Sequence, residues 1–171
     1  MGDGGRTREP AMAQTEVGEA YEASTSALQA AKGQRLSLRR AIAGLEQALG
    51  PAAAEEQGAW LERLGGALAH LDEVFAVHVR VTEAPGGLYE EILENAPRLA
   101  NRVKRFRREH GDITAAIRGG IAETQSAAQD AGRVEALRDH AVRLLADLVR
   151  HRKRGLDLVY EAYHVDIGGE S

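Results

Sequence analysis

The stretch LERLGGALAHLDEVFAVHVRVT, residues 61–82, carries its apolar side chains in a fixed rhythm. Leu61, Leu64, Leu68, Leu71 and Phe75 are spaced alternately three and four apart, and the rhythm continues onto His78 and Thr82. Such a stripe lies along one side of an α-helix and is the pattern of a helix that packs in a bundle. A half-buried strand would instead alternate at every second residue, and no such alternation occurs.

The rhythm recurs further along the chain. Leu99, Val103, Phe106, His110, Ile113 and Ile117 form one seam, and Leu137, Ala141, Leu144, Leu148, His151, Gly155, Leu158 and Ala162 form another. Leu38, Ile42, Leu45 and Leu49 mark the second half of an earlier helix, expected over about residues 19–49. Breaks separate these segments at Gly50-Pro51, at APGG (84–87), at ENAP (94–97) and at QDAG (129–132). The expected fold is all-α, an antiparallel up-down four-helix bundle over residues 18–165, with a flexible N-terminal tail (1–17) and a C-terminal tail (166–171). The glycine pairs 65–66 and 119–120 weaken helix locally.

Composition supports one globular domain. The chain has 171 residues, 43% hydrophobic and 28% charged, with aromatics at 4%, so the core must be mainly aliphatic. A net charge of -4 gives no global attraction to nucleic acid or to an anionic membrane. No cysteine is present, which excludes disulfides, thiolate metal sites and cysteine nucleophiles. No apolar run approaches the ~18 residues of a membrane span, and the expected location is cytoplasmic. The basic runs RVKRFRRE (102–109) and RHRKR (150–154) read as solvated faces balanced by nearby acids, and they lack the interleaved aromatics of a nucleic-acid surface. No phosphate loop and no Ser-His-Asp grouping is found, so enzymatic turnover is not indicated.

Each of three seams holds one histidine, and their heights can be compared. On antiparallel neighbours, two residues are level when the turn lies midway between them. The midpoint of His78 and His110 is residue 94, beside ENAP, and that of His110 and His151 falls at 130–131, inside QDAG. APGG is then a kink or short loop within the second helical segment. The three histidines are expected in one core layer. Convergent imidazoles suit zinc, iron, copper or nickel better than magnesium or calcium. Glu83 is a candidate oxygen ligand, Thr82 and Thr114 lie one turn past His78 and His110, and Asp147 flanks the third seam. Glu109 is expected to face away from it, and His70, His140 and His164 are expected at surfaces or edges. In YEAYHVDIGG, Tyr160, Tyr163, Val165 and Ile167 are expected to fold over a bundle end.

The order and spacing of HVRVTE (78–83), REHGDI (108–113) and HRKRGLDLVYEAY (151–163) resemble the hemerythrin-like, or HHE cation-binding, family. The resemblance spans about residues 20–165. It implies an antiparallel four-helix bundle with a non-haem di-iron centre, held by a His on the first helix, H-x-x-x-E on the second, an E-H pair on the third and H-x-x-x-E on the fourth. This chain departs from that pattern: Thr82 and Gly155 occupy the positions of the two bridging glutamates, and near residue 23 the first helix offers Tyr21 and Ser24 but no histidine. What the resemblance then implies is a reduced site of His78, His110 and His151, with Glu83 as a further ligand, for iron or zinc. A vacant position would take a small diatomic such as oxygen or nitric oxide, in gas or redox sensing. The alternative is a metal-free helical scaffold with a decayed site, in which homo-oligomers form through exposed helix faces.

Overall fold

The computed structural model describes residues 11–50, 57–128 and 130–164, with side chains from residue 29 onward except those of 131 and 164. Among these residues all regular structure is helical: α1 (Ala11–Ala48), α2 (Gln57–Glu83), α3 (Leu88–Asn95), α4 (Ala100–Ala127) and α5 (Val134–His164), with 3-10 turns leading into α4 and α5. Four of the helices are long, and α3 has eight residues. α1 packs on α2, α2 on α4, α4 on α5, and α5 returns to α1. No helix among the described residues is long and apolar enough to cross a membrane.

The seams become the core. On α2 the buried residues are Trp60, Leu61, Leu64, Leu68, Leu71, Phe75, His78 and Thr82, which is the expected stripe with Trp60 added. On α4 they include Val103, Phe106, His110, Ile113 and Ile117. α5 buries Leu137, Ala141, Leu144, Leu148, His151, Leu158 and Ala162, while Gly155 is half-buried. α2 and α4 run unbroken through their glycine pairs, because burial of an apolar face outweighs a propensity cost of ~1 kcal/mol per glycine.

Two boundaries differ from expectation. The described part of α1 begins at Ala11, ahead of the expected 19, so residues 11–17 are helical; Ala11, Met12, Ala13 and Gln14 are good helix formers without a seam to reveal them. Residues 1–10 and the expected tail at 166–171 lie outside the described residues, as do Val165, Ile167 and the side chains of Tyr21 and Ser24. APGG is a loop that ends α2 and leads into the separate helix α3. Gly86 has φ +71°, and a Cβ on Gly87 would lie 2.7 Å from the Ala84 carbonyl oxygen, so both positions of the turn favour glycine. α3 packs against α1, α2 and α5.

Two apolar clusters result. The larger is almost wholly aliphatic, from Leu38 and Leu45 on α1 through Leu64 and Leu71 to Ile117 and Leu148, with Phe75 and Trp60 as its aromatic members. The smaller joins Tyr89 and Ile92 of α3 to Val103 and Phe106 of α4 and Leu158 of α5. The histidine layer contacts both, since Phe75 belongs to the first cluster and Phe106 to the second.

Candidate metal centre

α2, α4 and α5 each bring one imidazole inward at the same level. His78, His110 and His151 are 9%, 2% and 2% exposed, and each offers one nitrogen within 4.8 Å of the others. Ring centroids are 5.1 Å apart for His78 and His110, 4.9 Å for His110 and His151, and 5.6 Å for His78 and His151. Phe75, one turn before His78, touches all three rings at 5.6 to 6.0 Å. Phe106 lies 5.2 Å from His151. The expectation of one layer, drawn from the midpoints of the turns, is met.

The outer nitrogens of two rings are fixed by carboxylates. His110 Nδ1 lies 2.5 Å from Glu83 Oε1, and His151 Nδ1 lies 3.2 Å from Glu109 Oε2, which also accepts from the Arg154 guanidinium at 3.0 Å. Donation from Nδ1–H to a carboxylate leaves the Nε2 lone pair facing the interior, the arrangement in which metal-binding histidines are held. His78 Nδ1 is buried without a hydrogen-bond partner, and its Nε2 lies 3.4 Å from His151 Nε2. An ion ~2.1 Å from each of two nitrogens at a near-tetrahedral angle would hold them roughly 3.4 Å apart. This hydrogen-bonded pair is therefore also spaced to accommodate one ion between its nitrogens.

Burial keeps the rings neutral. Desolvation pushes His78 down to about 3, with further help from the neighbouring His151, and pushes His110 down to about 2, with His78 adding to the effect. Burial also lowers His151, against Glu109, which holds it up. Neutral imidazole is the form that binds metal. Burial raises the Glu83 carboxyl above its ordinary value against the pull of Arg107.

Several expected residues take other places. Glu83 grips the outer nitrogen of His110 and is not among the three groups that converge. Glu109, expected to face away, reaches across to α5, because its flank of α4 faces that neighbour. The Thr82 hydroxyl donates to its own helix at the His78 and Val79 carbonyls, 2.9 and 3.0 Å away. Asp147 is exposed and pairs with Arg150. His70 is exposed, while His140 is partly buried and joins α5 to α4. α5 stays helical through the YEAYH segment, where Tyr160 is exposed and Tyr163 donates to Glu91 of α3.

A cavity of about 40 Å³ adjoins His78 and His151, and Thr82 and Gly155 are both in its wall. A Cβ placed on Gly155 would meet nothing within 4 Å. Leu38, Leu88, Phe106 and Leu158 make much of the remaining surface apolar. One contact has no signal in the seams: Tyr89, in the first turn of α3, places Oη 3.3 Å from His110 Nε2, with the two rings stacked 5.7 Å apart. Only its succession to a Pro-Gly-Gly break could have drawn attention to it. Comparison of the chain with protein-family models, curated proteins and solved structures yields no match.

Proposed function

We propose that this chain binds one transition-metal ion through His78, His110 and His151, within an antiparallel up-down four-helix bundle of the hemerythrin-like kind. The observation that carries the reading is the convergence of three buried, neutral imidazoles, two of them oriented from behind by Glu83 and Glu109. With Nδ1–H of His110 and His151 directed at carboxylates, their Nε2 atoms carry lone pairs, which a cation can take in place of the hydrogen bonds from Tyr89 and His78. The cyclic packing of α1, α2, α4 and α5 supports the bundle arrangement. Iron and zinc are the ions in view, since both accept imidazole.

Thr82 and Gly155 supply no carboxylate, so the ion would be single and would keep a position open toward the small apolar cavity. A diatomic molecule is the class of ligand that such a space accommodates, and the proposed role is sensing of oxygen, nitric oxide or redox state. No group is assigned to turnover. Elemental analysis of the purified chain beside a His110→Ala variant tests the reading. On the order of one ion per chain in the parent and far less in the variant is expected; sub-stoichiometric metal unchanged by the substitution would sink it.

One observation favours a second reading, a metal-free bundle that associates with its own copies. Val142, Val149 and Leu156 recur every seven residues on α5 and are 52%, 42% and 48% exposed. Such a stripe fits a helix that pairs with another. Light scattering of the parent and of Val149→Glu distinguishes it, with a dimer lost in the variant.

A further inference from the structure

The oxygen donors near the layer divide sharply by side. Glu83 and Glu109 stand behind the rings on the Nδ1 atoms. Among the side chains lining the cavity, only Thr82 and Tyr89 carry oxygen; the Thr82 hydroxyl donates to its own helix and offers at most a weak neutral ligand, whereas a phenol can ionise to an anionic one. That singles out Tyr89. Tyr89 is 4% exposed and lines the cavity together with His78 and His151, and its Oη lies 3.3 Å from Nε2 of the third histidine, His110. That distance, like the 3.4 Å between His78 Nε2 and His151 Nε2, is a hydrogen-bond length that is also compatible with two atoms bound to one ion.

We infer that Tyr89 is the fourth protein ligand of the site, so that the chain offers three imidazoles and one phenolate to a trivalent ion, ferric iron, in preference to zinc. The inference rests on the metal-binding reading above and adds to it a ligand and a choice of metal. On binding, the phenol O–H bond breaks, a metal–oxygen bond forms, and one proton leaves to solvent for each ion bound; no electron is transferred. In the metal-free protein the same O–H donates to His110 Nε2. A cation displaces that proton and takes both lone pairs. A hard anionic oxygen beside imidazoles shifts preference from zinc toward ferric iron. The site is assembled by an unusual route, because the ligand is carried on an eight-residue helix that begins just after the Gly86-Gly87 turn.

The full chain is titrated with ferric nitrilotriacetate and followed by visible absorption and by iron content. The parent is expected to develop a broad phenolate-to-iron charge-transfer band, and Tyr89→Phe to lose that band and bind iron at least about tenfold more weakly. Tyr89→His keeps tight binding without the band, which separates ligation from a merely structural role. Thermal melting of the metal-free variants checks that each folds. Iron that is bound in a His110-dependent way without the band, or a band that persists in Tyr89→Phe, overturns the inference and leaves the three-histidine reading standing. Should ferric ion fail to bind while zinc binds in a His110-dependent way, the preference for iron falls; ligation by Tyr89 then stands only if zinc produces the ultraviolet difference spectrum of tyrosinate in the parent and not in Tyr89→Phe. Failure of both ions to bind overturns both readings.

Discussion

His140 and His151 sit on the same helix, eleven residues or about 16 Å apart, yet their second nitrogens have opposite fates. Each directs Nδ1 at a glutamate of α4, Glu123 for His140 at 2.9 Å and Glu109 for His151 at 3.2 Å. His140 Nε2 then meets the Ala116 carbonyl oxygen at 2.8 Å, so each nitrogen already has a protein oxygen in front of it. His151 Nε2 meets another imidazole nitrogen, that of His78. A histidine with two acceptors is a complete structural bridge between helices. One with a single carboxylate behind and another imidazole ahead is arranged as the proposed metal site requires.

The largest expected consequence is acid lability of the metal-free protein. His78, His110 and His151 all have folded values below the ordinary one of about 6.5, so as pH falls through 6.5 the unfolded chain takes up protons that the folded chain refuses. Their contribution is fully present above pH ~6.5 and is lost below it, at ~1.4 kcal/mol per pH unit for each ring, or roughly 4 kcal/mol per unit for the three together at most. Urea denaturation at pH 7.5, 6.5 and 5.5 measures this, and His110→Leu should remove about a third of the slope. A stability flat over that range would break the distinction between a neutral, desolvated layer and an ordinary histidine bridge. Bound metal should suppress the loss until protons compete with it.

Next in size is the effect on affinity. His151→Ala removes a proposed ligand and should weaken metal binding by about 100-fold or more, measured by competition with a chelator, whereas His140→Ala should leave affinity within about twofold. Equal losses in the two variants would mean that the site depends on the general packing of α5 and not on ligation. A smaller loss, about tenfold, is expected for Glu109→Gln, because the amide can still accept from His151 Nδ1 but no longer raises the basicity of the ring. Glu123→Gln, the matching change behind His140, should leave affinity unchanged.

The same pair shows what could be read in the sequence. All three histidines of the layer lie on the period of their seams, and their common level follows from the positions of the turns, because helix rise is uniform. Glu109 and Glu83 lie off that period. Which neighbour an off-seam side chain reaches depends on the rotation of two packed helices, and spacing along one helix does not fix this. Tyr89 was hidden for another reason. APGG was legible as a break, but nothing local reveals that the eight residues after it form a helix of their own, packed on α1, α2 and α5, which delivers a phenol to the layer. His140 looked peripheral because Ala116 and Glu123, its two acceptors, belong to another helix.

Each histidine also has a glycine beside it, and these sharpen the contrast at the smallest scale. On Gly120 a Cβ would lie 3.2 Å from Leu68 Cδ1 and 3.7 Å from His140 Nε2, in space already filled, and Leu68 is fully buried. On Gly155, one turn past His151, it would meet nothing within 4 Å. Both positions are helical, so alanine should gain ~0.5–1 kcal/mol from reduced backbone freedom wherever it fits without strain. Gly155→Ala is therefore expected to show the full gain in denaturation midpoint, and Gly120→Ala to fall short of it or reverse it, since Leu68 must yield within a packed core. If Gly155→Ala stabilised the chain but reduced metal affinity, the methyl group would have entered space that the ion or its ligand needs, and the cavity beside His151 would be part of the site and not a packing defect.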